Sequence, residues 1–185
     1  HEGVGALGKI DLASWQFSGF VPVPIDSDRV AALGDAWVAT IDLDQWTTPT
    51  LLDASTGAVV DSLPHQVSEG ALCATSDGQI LFIGDSSSSA GEVARYDVST
   101  GKLVMTARSV GPMGVGFYYP TRAITCASDG SFLFYGGYAV EGTGLTVTYA
   151  QPDPILSLTP DGRLAISATT VYRASDGMVL GSLPA

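Results

Sequence analysis

The 185-residue chain carries 8 Lys and Arg residues against 19 Asp and Glu residues, a formal net charge of −11. Such a surface repels phosphate backbones, so the composition excludes a nucleic-acid partner. Apolar residues make up 45% of the chain and charged residues 15%, which excludes a disordered chain. No apolar run approaches the roughly 20 residues of a transmembrane helix, so we expect no membrane span.

In chain order, the predicted elements are short strands joined by tight corners. Residues 8–20, GKIDLASWQFSGF, contain two strands around one corner. Longer units follow, each with a strand, a Ser-Asp-Gly corner, a second strand and a variable stretch. A third strand, an Asp-x-Ser-Thr-Gly corner and a fourth strand complete the unit. Glycine supplies the positive φ of a tight hairpin, and Asp, Ser and Thr side chains hydrogen-bond their own backbone there.

The repeated phrases define the units. ATSDGQILFIGD, CASDGSFLFYGG and LTPDGRLAISA recur, and the corner aspartates of the first hairpins are Asp35, Asp77, Asp129 and Asp161. Asp11, Asp53 and Asp97 mark the second kind of corner. We place the units at about 29–63, 71–106, 122–150 and 155–184. The third unit leaves little room for its outermost strand.

Four-stranded units of this length are typical of β-propeller blades. The apolar runs ILFI and FLFY predict strands that are buried on both faces, and Gly and Pro interrupt almost every window long enough for a helix. The sequence therefore predicts an all-β fold, a single β-propeller domain over residues 1–185. It has about four blades of four antiparallel strands plus an N-terminal half blade at 8–20. Because the half blade lacks a partner, we expect a piece of a larger propeller, or closure against a second copy.

The phrases TSDGQILFI and TPDGRLAIS, paired with YDVSTGKLV, resemble the bacterial YVTN/YncE-like propeller repeats. They resemble TolB-like and PQQ-binding-type repeats more loosely. The resemblance covers most of residues 8–184 and implies the propeller fold. It carries over no functional residue, because these families include binding proteins, scaffolds and a few enzymes.

Strand direction alternates within a blade, so the two kinds of short corner lie at one end and the longer connections lie at the other. Long loops on a rigid scaffold are where binding residues concentrate. The predicted binding residues on this long-loop face are Trp46, His65, Tyr118, Tyr119, Arg122, Tyr138 and Glu141. The alternative for the two adjacent tyrosines is that they plug the centre of the ring.

The two cysteines, Cys73 and Cys126, occupy matching phrases, LCATSDG and TCASDG. They have no CxxC spacing, which argues against a zinc site. Two interpretations stay open: a pair of small buried apolar side chains, or a disulfide between neighbouring blades.

Catalytic motifs are sparse, and we predict no catalytic residue. No GxSxG elbow, HExxH pair or P-loop occurs. We predict no cofactor and no metal centre; the weak candidates for a calcium site are the alternating carboxylates Asp26, Asp28, Asp42 and Asp44.

Three functional hypotheses follow. The first is a non-enzymatic interaction module of an extracytoplasmic propeller protein, which binds a protein partner or its own copies through the long-loop face or open blade edges. The alternative is a fragment of a propeller enzyme of the lyase, lactonase or quinoprotein type, with its active site at the central channel. The third is a structural surface protein in which the repeats act as a rigid spacer.

Overall fold

The structure is a computed structural model, and it describes residues 5–11, 13–24, 27–42, 46–68, 70–85, 92–109 and 123–184. Within these ranges the regular secondary structure is entirely β. The strands are β1 (Gly5–Asp11), β2 (Gln16–Val23), β3 (Arg29–Leu33), β4 (Trp37–Ile41), β5 (Thr50–Asp53), β6 (Val59–Ser62), β7 (Ala71–Ala74), β8 (Ile80–Asp85), β9 (Glu92–Asp97), β10 (Val104–Arg108), β11 (Ile124–Cys126), β12 (Phe132–Tyr135), β13 (Tyr138–Glu141), β14 (Val147–Ala150), β15 (Ser157–Leu158), β16 (Leu164–Ile166), β17 (Thr170–Arg173) and β18 (Val179–Ser182).

The strands form one two-stranded and four four-stranded antiparallel sheets, each in sequential order. We call β1–β2 the half blade, and β3–β6, β7–β10, β11–β14 and β15–β18 blades 1 to 4. The first strands are innermost, because β7 contacts both β3 and β11, and β11 contacts β15. The predicted all-β architecture is confirmed.

The cores lie between consecutive blades rather than within them. Leu33 and Leu51 of blade 1 pack with Leu81 and Tyr96 of blade 2, and all four side chains are at most 2% exposed. Similar clusters join blade 2 to blade 3 and blade 3 to blade 4. Each fully buried apolar side chain contributes roughly 1.5–3 kcal/mol. The apolar runs of β8 and β12 are therefore buried on both faces, as their sequences predict.

The corners between third and fourth strands share one geometry. Each of these strand pairs, β1–β2 included, has a register shift of the β-bulge kind. Four residues after the last residue of each third strand, the backbone takes a positive φ. These residues are Trp15 (55°), Gly57 (72°), Gly101 (70°), Leu145 (55°) and Gly177 (72°). The half blade is therefore built from the third and fourth strands of a blade.

Corners of neighbouring blades approach closely at the ends of the first hairpins. Gly78, with a φ of 69°, lies so near blade 1 that a Cβ atom there would overlap the backbone of Leu33 and Gly34. The next pair of corners is joined by a hydrogen bond, because Ser76 N–H donates to Ser128 O at 2.8 Å. Glycine at position 78 thus serves both the turn and the spacing of the blades.

The two cysteines form a disulfide between Cys73 of β7 and Cys126 of β11, with their Cα atoms 6.0 Å apart. It connects the innermost strands of blades 2 and 3 across 53 residues of sequence. Of the two interpretations that the sequence leaves open, the disulfide is the one that the structure contains.

The structure of blade 3 differs from the sequence-based expectations in two ways. Its fourth strand has room, because β14 begins directly after the corner that follows β13. Residues 139–144, which contain the predicted long-loop residue Glu141, are the end of β13 and its corner to β14. The connection between its second and third strands is only Gly136 and Gly137.

We predict that the disulfide stabilises the fold because it reduces the conformational entropy of the unfolded chain. Replacement of both cysteines, C73A with C126A, removes the closure of a 53-residue loop and should lower the free energy of unfolding by about 4 kcal/mol. Chemical denaturation measures the change. Reductant should destabilise the native protein similarly and leave the double variant unaffected; equal stability of the oxidised native protein and the variant would contradict the prediction.

A second prediction separates blade packing from turn strain. Gly78→Ala places a methyl group against the backbone of blade 1, whereas Gly136→Ala, at a φ of 59°, meets no atom within 4 Å. Both substitutions carry a left-handed backbone cost of about 1–2 kcal/mol. Overpacking should lower the free energy of unfolding of the Gly78→Ala variant by about a further 1–3 kcal/mol. Equal losses of unfolding free energy in the two variants, measured by thermal or denaturant unfolding, would show that the close contact between Gly78 and blade 1 does not contribute to stability.

Candidate interaction surfaces

The long-loop face brings two predicted residues near each other. Trp46 and His65 lie on the connections before β5 and after β6, and both side chains are exposed. Thr47 and Val67 join these connections in an antiparallel bridge, with N···O distances of 2.9 and 2.8 Å. Trp46 itself has a φ of 66°, which is rare for a bulky residue.

The other predicted residues of this face divide into two groups. Tyr138 begins β13 at the loop end, where it is half-buried and packs against the cluster between blades 2 and 3. Tyr118, Tyr119 and Arg122 lie outside the described residues. Their role as binding or plugging residues stays a prediction.

Glu141 does not lie on the long-loop face. It ends β13 at the opposite end of the blade, which we call the corner face. Its carboxylate accepts hydrogen bonds from the backbone N–H groups of Thr143, at 2.7 Å, and Gly144, at 2.6 Å. The expectation was wrong because EGTG is a third-to-fourth corner in which Glu replaces the usual Asp.

Of the candidate calcium ligands, Asp28 and Asp42 are in the described part of the chain, and Asp26 and Asp44 lie outside it. No group of three or more His, Cys, Asp or Glu side chains gathers as a metal site among the described residues. Within the same residues, no helix is long and apolar enough to cross a membrane.

A cleft of about 650 Å³ opens on the corner face between blades 3 and 4. Three carboxylates and two guanidinium groups line it together with Phe132. The charged lining residues are Asp129, Glu141, Asp161, Arg163 and Arg173. The guanidinium of Arg163 lies 3.7 Å from the Asp161 carboxylate. Arg173 forms a 2.9 Å ion pair with Asp176.

Hydrogen bonds from residues of the same hairpin corner stabilise the ionised form of each carboxylate in this cleft. The Thr159 hydroxyl, 2.6 Å away, lowers the pKa of Asp161, and the hydroxyl of Ser131 lowers the pKa of Asp129. Backbone N–H groups of Gly144 and Thr143 lower the pKa of Glu141. A general acid at neutral pH needs a raised pKa, so these three groups do not suit that role.

A surface that the sequence interpretation missed is the outer face of the half blade, the face that points away from blade 1. The residue just before the last position of each third strand is buried in the four complete blades. These residues are Leu52 (0% exposed), Tyr96 (2%), Val140 (0%) and Tyr172 (3%). The equivalent residue of the half blade, Ile10, is 60% exposed, because no preceding sheet covers it among the described residues.

Aromatic side chains extend this outer face. Phe17 and Phe20 contact each other in an edge-to-face pair with centroids 4.8 Å apart, and both are exposed. Trp15 is 80% exposed. Gly57 and Gly177, the equivalents of Trp15, pack so closely on the preceding sheet that a Cβ would overlap it. In the sequence, the corner of the half blade has Trp15 at the position where three of the four complete blades have Gly. This difference is the sequence feature that could have indicated the exposed outer face.

Comparison with known proteins identifies the fold. No protein-family model matches the chain, and no curated protein matches it. In structure it is similar to Saccharomyces cerevisiae Sqt1, with a TM-score of 0.67 and 12% identity, over 98% of this chain and 56% of that one. It is similar to the β-propeller domain of Myceliophteria thermophila Cps50 (Swd1), with a TM-score of 0.57 and 15% identity, over 85% and 55% of the two chains.

A third similar structure is TolB from Acinetobacter baumannii, with a TM-score of 0.58 and 13% identity, over 94% of this chain and 50% of that one. The chain has a β-propeller fold. It spans about half the length of each of these propeller structures. At these identities the similarity concerns the fold alone.

The corner carboxylates predict a loss of stability in acid. The hydroxyl of Ser55, first among its hydrogen-bond donors, lowers the pKa of Asp53 from 3.8 to about 2. The folded-state value lies below the unfolded one, so the stabilisation is complete above about pH 4 and is lost as pH falls towards 2. Denaturant midpoints measured from pH 5 to pH 2 should decline.

Asp53→Asn is the matched control, because an Asn side chain keeps an acceptor for the corner but does not titrate there. The variant should lose less stability than the native protein over the same pH interval. An Asp53 carboxyl signal that titrates near 3.8 in the folded protein would contradict the prediction.

Proposed function

We propose that the chain is a non-enzymatic interaction module of a β-propeller protein, which binds a protein partner or its own copies through the outer face of the half blade. The observation that carries this proposal is the outer face of the half blade, formed by Ile10, Trp15, Phe17 and Phe20. Contiguous exposed apolar surface on a folded protein marks interaction sites. Aromatic residues are enriched in such interfaces.

The corner position of Trp15 determines how closely another surface can approach the half blade. At the corner position of Trp15, the complete blades carry Gly57, Gly101, Leu145 and Gly177, which lie against or within the contact with the preceding sheet. Leu145 is buried in the contact between blades 2 and 3, so a large side chain at this position can pack within an interface. We infer that the indole of Trp15 contributes to the contact with a partner, at a wider spacing than at Gly57 and Gly177.

We propose an extracytoplasmic location. The Cys73–Cys126 disulfide supports it, since disulfides persist in oxidising compartments and are rare in the cytosol. The net charge of −11 is compatible with a soluble exported protein. The repeat phrases support assignment to the YVTN/YncE-like propellers within the wider fold.

Light scattering after size-exclusion chromatography tests the proposal. At micromolar concentrations, we expect a mass above the 19.1 kDa of one chain. Phe20→Ser and Ile10→Thr should each shift the mass towards 19.1 kDa, because they remove exposed apolar contact area.

Val179→Thr is the matched control, since Val179 has the same 60% exposure as Ile10 but lies on the opposite end of the fold, in β18. It should leave the mass unchanged. A monomer at every concentration that the Phe20 and Ile10 substitutions do not alter would refute the role of this face.

A further inference from the structure

The cleft on the corner face between blades 3 and 4 is bounded on two sides by contacts between these blades. On the inner side, Gly162 lies so close to blade 3 that a Cβ atom there would be 3.1 Å from the Cβ atom of Ala127. On the outer side, the hydroxyl group of Tyr149 donates a hydrogen bond to the backbone carbonyl of Ala174. The volume of about 650 Å³ falls within the roughly 300–1,000 Å³ of small-molecule sites. The cleft is therefore formed by the packing of the two blades themselves.

Larger side chains occupy the equivalent places between the other complete blades. Between blades 1 and 2, a Cβ atom at Gly101 would lie 3.1 Å from the indole ring of Trp37. Between blades 2 and 3, the corner residue Leu145 is buried in the cluster that joins the two sheets. Blade 4 has Gly177 at the corner position of Leu145, and blade 3 has Phe132 at the position of Trp37. The gap between blades 3 and 4 thus combines a glycine with a ring smaller than indole, and space remains.

The wall of the cleft that blade 3 provides is negatively charged. Asp129 lies in the first corner of this blade, and Glu141 lies directly opposite Phe132 in the β12–β13 register. Phe132 packs towards blade 4, so the Glu141 side chain leaves the sheet on the same side. Among the described residues, neither carboxylate forms an ion pair with a Lys or Arg side chain. This wall can therefore accept a cation.

Blade 4 provides a guanidinium group to the opposite wall. The Arg163 side chain is 84% exposed, and its Nε atom is 3.7 Å from the Asp161 carboxylate, which is longer than a hydrogen bond. The second guanidinium group, that of Arg173, is held by the 2.9 Å ion pair with Asp176. Asp161 is engaged within its own corner, where its Oδ1 atom accepts a hydrogen bond from the Thr159 hydroxyl at 2.6 Å. Arg163 is therefore the group of this wall that can reorient towards an anion in the cleft.

We propose that this cleft binds a short zwitterionic peptide, with its ammonium group at the Asp129 and Glu141 carboxylates and its terminal carboxylate at Arg163. A guanidinium group matches a carboxylate in geometry and charge, because it can donate two parallel hydrogen bonds. The ring of Phe132 suits the apolar middle of such a ligand and attracts a cation near its face. Blades 3 and 4 form the site alone, so the inference is independent of the function proposed for the half blade.

The distribution of charge favours a ligand with both signs over a simple ion. An anion alone would enter a space that Asp129 and Glu141 line with negative charge, and a cation alone would meet the positive charge of Arg163. A zwitterion places each of its charges beside the opposite charge of the protein. The middle of the ligand is expected to be uncharged, since the lining also includes Phe132 and Ala127.

The test uses the full chain and the tripeptide Ala-Leu-Ala in three forms: unmodified, acetylated at its amino end, or amidated at its carboxyl end. NMR chemical shifts of the protein's backbone amides report binding. The relevant amides are those of Ser131, Gly144 and Arg163, because each donates a hydrogen bond to a carboxylate of the cleft. We expect millimolar or tighter binding of the unmodified tripeptide, with the largest shifts at these amides. Each modification removes one charge and should weaken binding by about tenfold or more.

Single substitutions assign the two ends of the ligand. Arg163→Gln should weaken binding of the unmodified tripeptide by about tenfold and leave the amidated form unaffected, because that form has no carboxylate. Glu141→Gln should weaken binding of the unmodified tripeptide similarly and leave the acetylated form unaffected. Asp97→Asn is the matched control, since Asp97 ends the third strand of blade 2 as Glu141 does in blade 3, and it should bind like the native chain. Phe132→Trp, which introduces the residue of blade 1, should abolish binding because the larger ring fills the cleft.

The absence of shifts at the cleft amides with millimolar tripeptide would overturn the inference. Equal affinity of the amidated form would reduce the cleft to a cation site, and equal affinity of the acetylated form would reduce it to an anion site; either result refutes the zwitterionic ligand. Circular dichroism shows whether the variants are folded, and the comparison of the three tripeptides on the native chain does not depend on them. None of these outcomes changes the light-scattering test of Phe20 and Ile10, so the proposed function stands or fails separately.

Discussion

Face-to-face packing of sheets is the interaction on which this structure depends. A four-stranded sheet with apolar runs such as those of β8 and β12 cannot bury both faces by itself, so each blade needs a neighbour on either side. Leu33 and Leu51 are buried because blade 2 covers them, and Phe134 is buried because blade 4 does. Close corners such as Gly78, together with the disulfide between β7 and β11, hold the blades at the distance this packing requires.

The same requirement explains where the exposed apolar surface lies. The half blade has a neighbour on one side only among the described strands, so Val21 and Val23 are buried while Ile10 and Phe20 are exposed. A position that is buried in four blades and exposed in the fifth identifies an incomplete packing arrangement more reliably than exposure alone. Function is proposed at the half blade because the apolar side chains of Ile10, Phe17 and Phe20 are exposed together on one face there.

The candidate site was less predictable than the fold. Alternation of strand direction correctly assigned Trp46 and His65 to the loop end, because it depends only on the number of strands. It failed for Glu141 because the connection between the second and third strands of blade 3 is only Gly136–Gly137. The third strand therefore ends at Glu141, which lies at the corner end of the blade. The aromatic outer face was missed because Phe17 and Phe20 look like ordinary strand residues until equivalent positions are aligned in space.

The amino-acid sequence by itself determined the repeat, the corners and the all-β class, because glycine, aspartate and apolar runs act through local backbone geometry and strand burial. It also showed that residues 8–20 match only half a unit. Only the tertiary structure decided that Cys73 and Cys126 are bonded, since their Cα separation depends on how two blades are placed. It alone distinguished Ile10 from Tyr96, because burial depends on the neighbouring sheet and not on the residue.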